Sequence, residues 1–412
     1  MPKTLDALIV GSGPVALAAA VMLYDFKKEI GVLCYPKLIE RIKNIGDLRL
    51  ENLQKGVKEL REFCIPKDRI GFDINDNKSL IFLTKDYLPG IELKDKGYVA
   101  IATKTYSNGQ VVEEIKQFTD NTTILLFQNG LHPEIGLRLM LKNPKAKIVR
   151  FVIGGGLGLY EGVLKSSIIK FTGGFWDSRV DLDTRLNIII PSETPSTEEY
   201  KKASFSKAIV NSVNSLSSIF AANLGEVLEN NFLKEFIDRK IDEWVGIANY
   251  LKIDLKAKSV VDNFDRIIRG KLEKHNPSTL QDIFKRLVNP QKDIETEIRH
   301  LDEEIFDYGK NKIFGSIGYT SFCIELLNSY IEHFNKLRVV DKEKAREFGL
   351  RALVRNRNII GLEPYAFFKR FDGLGAFEEH IKAHSQEDKL FGQDPRQLLF
   401  VSAKSLRELY PV

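Results

Sequence analysis

"ALIVGSGPVALAAAVML", residues 7–23, decides how this chain is read. An apolar, strand-like run breaks on Gly11 and Gly13 and passes directly into an alanine-rich stretch of helical composition. Gly11, Gly13 and Ala16 spell G-x-G-x-x-A at a strand-to-helix turn. The first glycine of such a turn permits a tight bend and the second lets backbone approach a pyrophosphate. The small third residue lets helix and strand pack closely. The helix N-terminus then points its N–H groups at the phosphates. Gly11, Ser12, Gly13, Pro14 and Val15 are therefore the candidate dinucleotide-binding loop.

Outward from this turn, short β-branched runs alternate with amphipathic stretches, the pattern of a parallel sheet covered by helices. Strands are predicted at 5–10, 30–35, 98–103, 123–128 and 147–153. Helices are predicted in "GQVVEEIKQFT" and "HPEIGLRLMLKN" between the last three. From 154 the text turns to glycine and alternating residues, which predicts antiparallel strands finishing the sheet. The glycines of "IGGGLGLYEG" (153–162) lead into strand text rather than a helix, so they read as bulge or turn glycines, not a second phosphate loop. The prolines and hydroxyls of "IIPSETPSTEEY" (189–200) mark a linker, with Ser196 or Thr197 opening a helix. The text is almost wholly helical to about 334, and a charged, mostly helical segment closes the chain. The expected domains are 1–192, 193–334 and a separate appendage, 335–412.

The second strand ends "CYPKLIER" (34–41), with no acid before Glu40 to hold a ribose 2′-hydroxyl. Tyr35 can stack near an adenine, and Lys37 and Arg41, four apart on the next helix, can pair with a 2′-phosphate. NADP is favoured and NAD stays open. Further on, "LLFQNGLHPEI" (125–135) ends a buried strand on Asn129 and Gly130. The tip of a parallel strand is where such a sheet presents polar groups to a ligand. Asn129 is expected to face the cleft and His132 only to start a helix.

Bulk properties exclude several classes. With 412 residues, 43% of them hydrophobic, the chain can build more than one core. Its three cysteines, without a CxxC pair, suggest neither a disulfide framework nor a metal site and fit a reducing cytoplasm. No export signal or membrane-spanning run is evident. A net charge of +5, with lysines interleaved among acids, argues against nucleic acid and leaves anionic small molecules as partners.

Chemistry is suggested by "ASFSKAIVNSVNSLSS", where Lys207, Asn211 and Asn214 fall within about 60° of one another around a helix. Because the other sides of this helix are apolar, the stripe is read as lining a cleft. There a lysine can donate a proton to a substrate oxygen while amides orient it. Several motifs now stand in order: G-x-G-x-x-A, Lys104 in "IATKTY", "QNGL" at 128–131, "FSKAIVN", and "PSTLQDI" followed by "TEI". In these the chain resembles, over roughly residues 4 to 335, the ketopantoate reductase family, which reduces a 2-keto acid with NADPH.

The resemblance implies an α/β architecture: a Rossmann-type domain, then an all-helical domain like the C-terminal part of 6-phosphogluconate dehydrogenase, then the C-terminal extension. It implies Lys207 as the general acid, Asn211 and Asn214 as substrate-orienting amides, and Ser278 as a substrate-binding serine. Glu297 would contact substrate and help hold the lysine, and Lys104 and Asn129 would stand at the cofactor edge. The implied partner is a small keto acid, with no membrane or nucleic acid, and a homodimer is compatible. The chain also departs from the family. Tyr35 stands where an arginine is common, Asn214 comes one position early and precedes Ser215 rather than proline, "FKRLVNPQKDIE" lengthens the approach to Glu297, and 335–412 has no counterpart in compact members. Two alternatives stay open. Opine-type dehydrogenases, which condense a keto acid with an amine, also begin with a turn like "GSGPVALAAA". A non-catalytic dinucleotide-binding protein whose extension contacts a partner is the third reading.

Overall fold

The computed structural model describes residues 2–24, 29–52, 63–119, 122–143, 146–154, 157–160, 163–166, 170–174, 197–267, 276–310, 318–384 and 394–412. They form two compact units, Met1–Lys207 and Ala208–Val412. The expected boundary at 192 lies outside the described residues.

The first unit contains β1 (Lys3–Val10), β2 (Ile30–Leu33), β3 (Leu48–Asn52), β4 (Phe63–Ile65), β5 (Ile70–Gly71), β6 (Leu80–Leu83), β7 (Ile91–Ile101), β8 (Thr123–Leu126), β9 (Lys147–Gly154), β10 (Leu157–Tyr160), β11 (Val163–Ser166) and β12 (Lys170–Gly174). Its helices are α1 (Pro14–Tyr24), α2 (Pro36–Lys43), α3 (Asn108–Ile115) and α4 (Pro133–Leu141). The main sheet has the order β12-β9-β8-β7-β1-β2-β6-β5. Every pairing in it is parallel except the antiparallel β12 on β9. The glycine turn thus leaves the central strand of a doubly wound sheet.

Burial on both faces explains why the strands read as continuous apolar runs. From β1, Ala7 and Ile9 pack with Ala16, Leu17 and Ala20 of α1 and with Val32, Phe82 and Leu125. Leu8 and Val10 point the other way, against Val99, Ile101, Ile124 and Leu126, with Val111, Val112 and Ile115 of α3 and Leu137 of α4. Each fully buried large aliphatic residue of this kind stabilises the fold by about 1.5–3 kcal/mol before ordering costs.

The end of the unit differs from expectation. Only β12 extends the main sheet. β10 and β11 are antiparallel to each other, but they join a separate four-stranded sheet, β10-β11-β3-β4. Its seam is a parallel pairing of Val163 with Arg49, more than a hundred residues apart, which no local pattern reveals. Of the glycine-rich stretch 153–162, residues 155, 156, 161 and 162 lie outside the described residues, and 157–160 are strand.

Helix α5 (Thr197–Ile219) begins in the first unit and continues in the second. It is followed by α6 (Leu224–Glu229), α7 (Asn231–Tyr250), α8 (Ala257–Ile267), α9 (Ser278–Val288), α10 (Glu304–Lys310), α11 (Gly318–Val340), α12 (Lys342–Ile359), α13 (Gly375–His384) and α14 (Pro395–Leu409). The segment from 335 onward, expected as a separate appendage, is part of this unit. Phe284 of α9 stacks on Phe371 with ring centroids 3.8 Å apart. Arg357 of α12 is fully buried and donates to the carbonyl oxygens of Ala221 (2.9 Å) and Glu363 (2.7 Å) and to the Glu226 carboxylate (2.7 Å). The segment looks hydrophilic in sequence partly because charges such as this one are internal. No helix among the described residues is long and apolar enough to cross a membrane.

Candidate active site

Because β8, β7, β1 and β2 are parallel neighbours, their C-terminal tips share one edge, and the segments leaving them hold the candidate coenzyme-binding residues. Gly11 follows β1 with φ +151°, and its N–H donates to Leu33 O at 3.0 Å. A Cβ there would lie 2.9 Å from Ala102 O, so the position admits no side chain. Gly13 differs: nothing lies within 4 Å of its notional Cβ. Its carbonyl accepts from Ala16 N at 3.0 Å, starting α1, whose first residue is Pro14. Val15 packs partly buried against the core.

Ser12 ties the turn to β2, since its Oγ accepts from Tyr35 N at 2.9 Å. Tyr35 is the N-cap residue of α2 and is 64% exposed, and Lys37 and Arg41 are exposed on the helix behind it. The Ser12 bond sets Tyr35 beside the glycine turn.

Lys104 follows β7 as the N-cap of a one-turn helix, Thr105–Ser107, and is half-buried. Asn129 follows β8, also half-buried, and Gly130 turns the chain with φ +120°. Gln128, not singled out from sequence, joins these two loops. Buried, its Nε2 donates to Asn108 Oδ1 at 2.7 Å and Thr103 Oγ1 at 3.2 Å. His132 stands, as expected, at the start of a helix, as the N-cap residue of α4; it is buried, with Nδ1 3.6 Å from Glu134 Oε1. Beneath the same turn lies Arg150 of β9, whose guanidinium donates to Gly130 O, to Leu131 O and to Ser204 Oγ of α5. Its signal was an arginine in the middle of the apolar run "KIVRFVI".

Lys207 stands three residues after Ser204 on α5 and is half-buried. Desolvation pulls its ammonium down from the ordinary value to about 8. Asn211, buried, and Asn214, half-buried, follow on the same helix in the second unit. Ser278 is half-buried as the first residue of α9, directly after the N-cap residue Pro277. Glu297 is buried, ahead of a π-helical turn, Arg299–Glu303. Asp302 of that turn pairs at 2.7 Å with the buried Lys240 of α7, which also donates to Ser215 Oγ (2.9 Å) and Ser212 O (2.8 Å) of α5. The Lys240–Asp302 pair thus ties the segment after Glu297 to the part of α5 that carries Asn211 and Asn214. Among the described residues no cluster of three or more His, Cys, Asp or Glu side chains could hold a metal.

A doubly wound sheet with this glycine turn at its central strand, succeeded by a helical unit, is the architecture of a two-part oxidoreductase built on a Rossmann-type fold. The chain belongs to the ketopantoate reductase family: residues 7–165 match the model for ketopantoate reductase PanE/ApbA, and residues 199–312 match the model for its C-terminal part. Among curated proteins it is 26% identical over 232 residues to the 2-dehydropantoate 2-reductase of Aquifex aeolicus (strain VF5), covering 52% of this chain and 69% of that one. The fold is similar to that of a 2-dehydropantoate 2-reductase from Geobacter metallireducens GS-15 (TM-score 0.59, 16% identity, 78% of this chain and 99% of that one). It is also similar to that of a D-mandelate dehydrogenase solved with NADH and anilino(oxo)acetate (TM-score 0.57, 18% identity, 78% and 97%).

Proposed function

We propose that the protein reduces a small 2-keto acid to the 2-hydroxy acid with NADPH. The observation that carries this reading is the glycine turn at the tip of β1, open at Gly13 beside the N-terminus of α1, together with Lys207 half-buried on α5, whose ammonium desolvation pulls down to about 8. A lysine of ordinary basicity gives up its proton reluctantly near neutral pH, whereas this one is matched to handing a proton to an alkoxide oxygen and regaining it from water. The open side of Gly13, next to the N-terminus of α1, suits a pyrophosphate.

The bound nicotinamide would supply the hydride to the carbonyl carbon. The chain's part is then to hold the keto acid and deliver the proton. Lys207 is the proposed proton donor to the oxygen, and Asn211, Asn214, Ser278 and Glu297 are the proposed groups that orient the acid. Gly11, Ser12, Gly13, Pro14 and Val15 would hold the coenzyme phosphates, Lys104 and Asn129 would border the nicotinamide, and Tyr35 would stack near the adenine. The structural neighbour with NADH supports a nicotinamide coenzyme as a class. The cations Lys37 and Arg41 support NADPH within it.

Coenzyme oxidation measured with ketopantoate and a panel of other 2-keto acids, with and without added amino acids, tests this. Turnover without amine, faster with NADPH than NADH, is the expected result. Rates that rise only when an amine is added would make the protein an opine-type dehydrogenase. Tight NADPH binding with no turnover under any condition would make it a non-catalytic dinucleotide binder.

A further inference from the structure

Arg150 sits mid-strand in β9 and is 2% exposed. A guanidinium stays charged inside a protein, so burying one requires acceptors placed in its plane. A well-packed apolar side chain would serve a strand core equally well, which makes the charge itself the thing to explain. Its acceptors come from two places. Gly130 O (2.5 Å) and Leu131 O (2.7 Å) belong to the peptides directly after Asn129, and Ser204 Oγ (2.7 Å) lies three residues before Lys207. The Ser204 hydroxyl completes the triangle by donating to Leu131 O at 3.2 Å. Glu134, from the first turn of α4, stands 3.8 Å from the guanidinium and balances its charge.

We propose that Arg150, with Ser204 as its second arm, is a positioning residue that fixes Lys207 relative to the strand tip bearing Asn129. This rests on the proposed role of Lys207 as proton donor. A planar fork that holds two carbonyls and a hydroxyl at once leaves little freedom between the β8–α4 turn and the Lys207 turn of α5. Proton transfer is steeply sensitive to such freedom, because a displacement of about 1 Å can cost about a hundredfold in rate.

The test measures kcat, the keto-acid KM and NADPH affinity for Ser204→Ala and Arg150→Lys, each made in the native chain and in Lys207→Ala. Ser204→Ala is expected to lower kcat about 5- to 20-fold while KM and NADPH affinity stay within about threefold, and Arg150→Lys is expected to lower kcat further. Neither should cost anything more once Lys207 is gone, because both act through it. Should Arg150→Lys fail to fold, Ser204→Ala, which deletes one hydroxyl, carries the test alone. A native kcat in Ser204→Ala, or the same fold-loss recurring in the Lys207→Ala background, would overturn the proposal.

If the native protein reduces no 2-keto acid, the proposed function fails and a second readout decides this point separately. The rate of Lys207 acylation by acetic anhydride, followed by peptide mass spectrometry against pH, should show a midpoint near 8 in the native chain. Ser204→Ala should move that midpoint up toward the ordinary lysine value. An unchanged midpoint would overturn the positioning role.

Discussion

Lys207 is held by the fold at a cost, and the sign of that cost can be measured. Its ammonium titrates near 8 in the folded chain against an ordinary value of 10.5. Below about pH 8 both folded and unfolded chains carry the proton, and the folded state bears the full desolvation penalty. Between about 8 and 10.5 the unfolded chain binds more protons, so stability rises with pH. Lys207→Met removes the penalty and is expected to stabilise the protein by about 1–3 kcal/mol at neutral pH. That gain should fade as pH approaches 10.5, and denaturant melts at both pH values check it. Equal stability of variant and native chain at neutral pH would contradict it. The lysine was legible because its polar stripe stood out on an otherwise apolar helix. Arg150 showed only as a lone arginine in an apolar run, and its link to Ser204 did not show, because the partners are backbone carbonyls and a hydroxyl distant in sequence, and no spacing rule connects them.

Among the elements, the turn from β1 to α1 was the most legible, because its chemistry depends on neighbours within six residues. Its two glycines are nonetheless not equivalent. At Gly11 an added Cβ meets the backbone of Ala102, and φ is +151°. Gly11→Ala is therefore expected to lose about 1–3 kcal/mol of stability. At Gly13 the space is open, so Gly13→Ala should melt within about 1 kcal/mol of the native chain yet bind NADPH at least about tenfold more weakly. Thermal melts and coenzyme titration of the two variants separate these outcomes, and strong NADPH binding by Gly13→Ala would remove the pyrophosphate from this turn. Strands β1, β2, β7, β8 and β9 could be read from apolar runs buried on both faces. The short β5 and β6 and the parallel pairing of β11 with β3 could not, since distant partners define them.

At the scale of the whole molecule, the closing segment shows where composition misleads. Its charge suggested an appendage, but Arg357 is enclosed by Glu226 and the carbonyls around Ala221, and Phe367 and Phe371 complete the aromatic packing of α9. Burial is a property of the assembled unit, so a charged residue that has found its acceptors looks hydrophilic only in the sequence. The second unit thus combines helices within the family match, residues 199–312, with the helices α11 to α14 beyond it.

The most direct measurement is the pH dependence of 2-keto-acid reduction by the native chain and by Lys207→Ala at saturating NADPH. Reduction consumes the lysine proton, so native kcat/KM for the keto acid should hold level below about pH 8 and fall about tenfold for each pH unit above it. Lys207→Ala should bind NADPH normally, turn over at least about a hundredfold more slowly and lose that inflection. A variant that keeps native kcat, or a native profile with no inflection near 8, would contradict a general-acid role for Lys207.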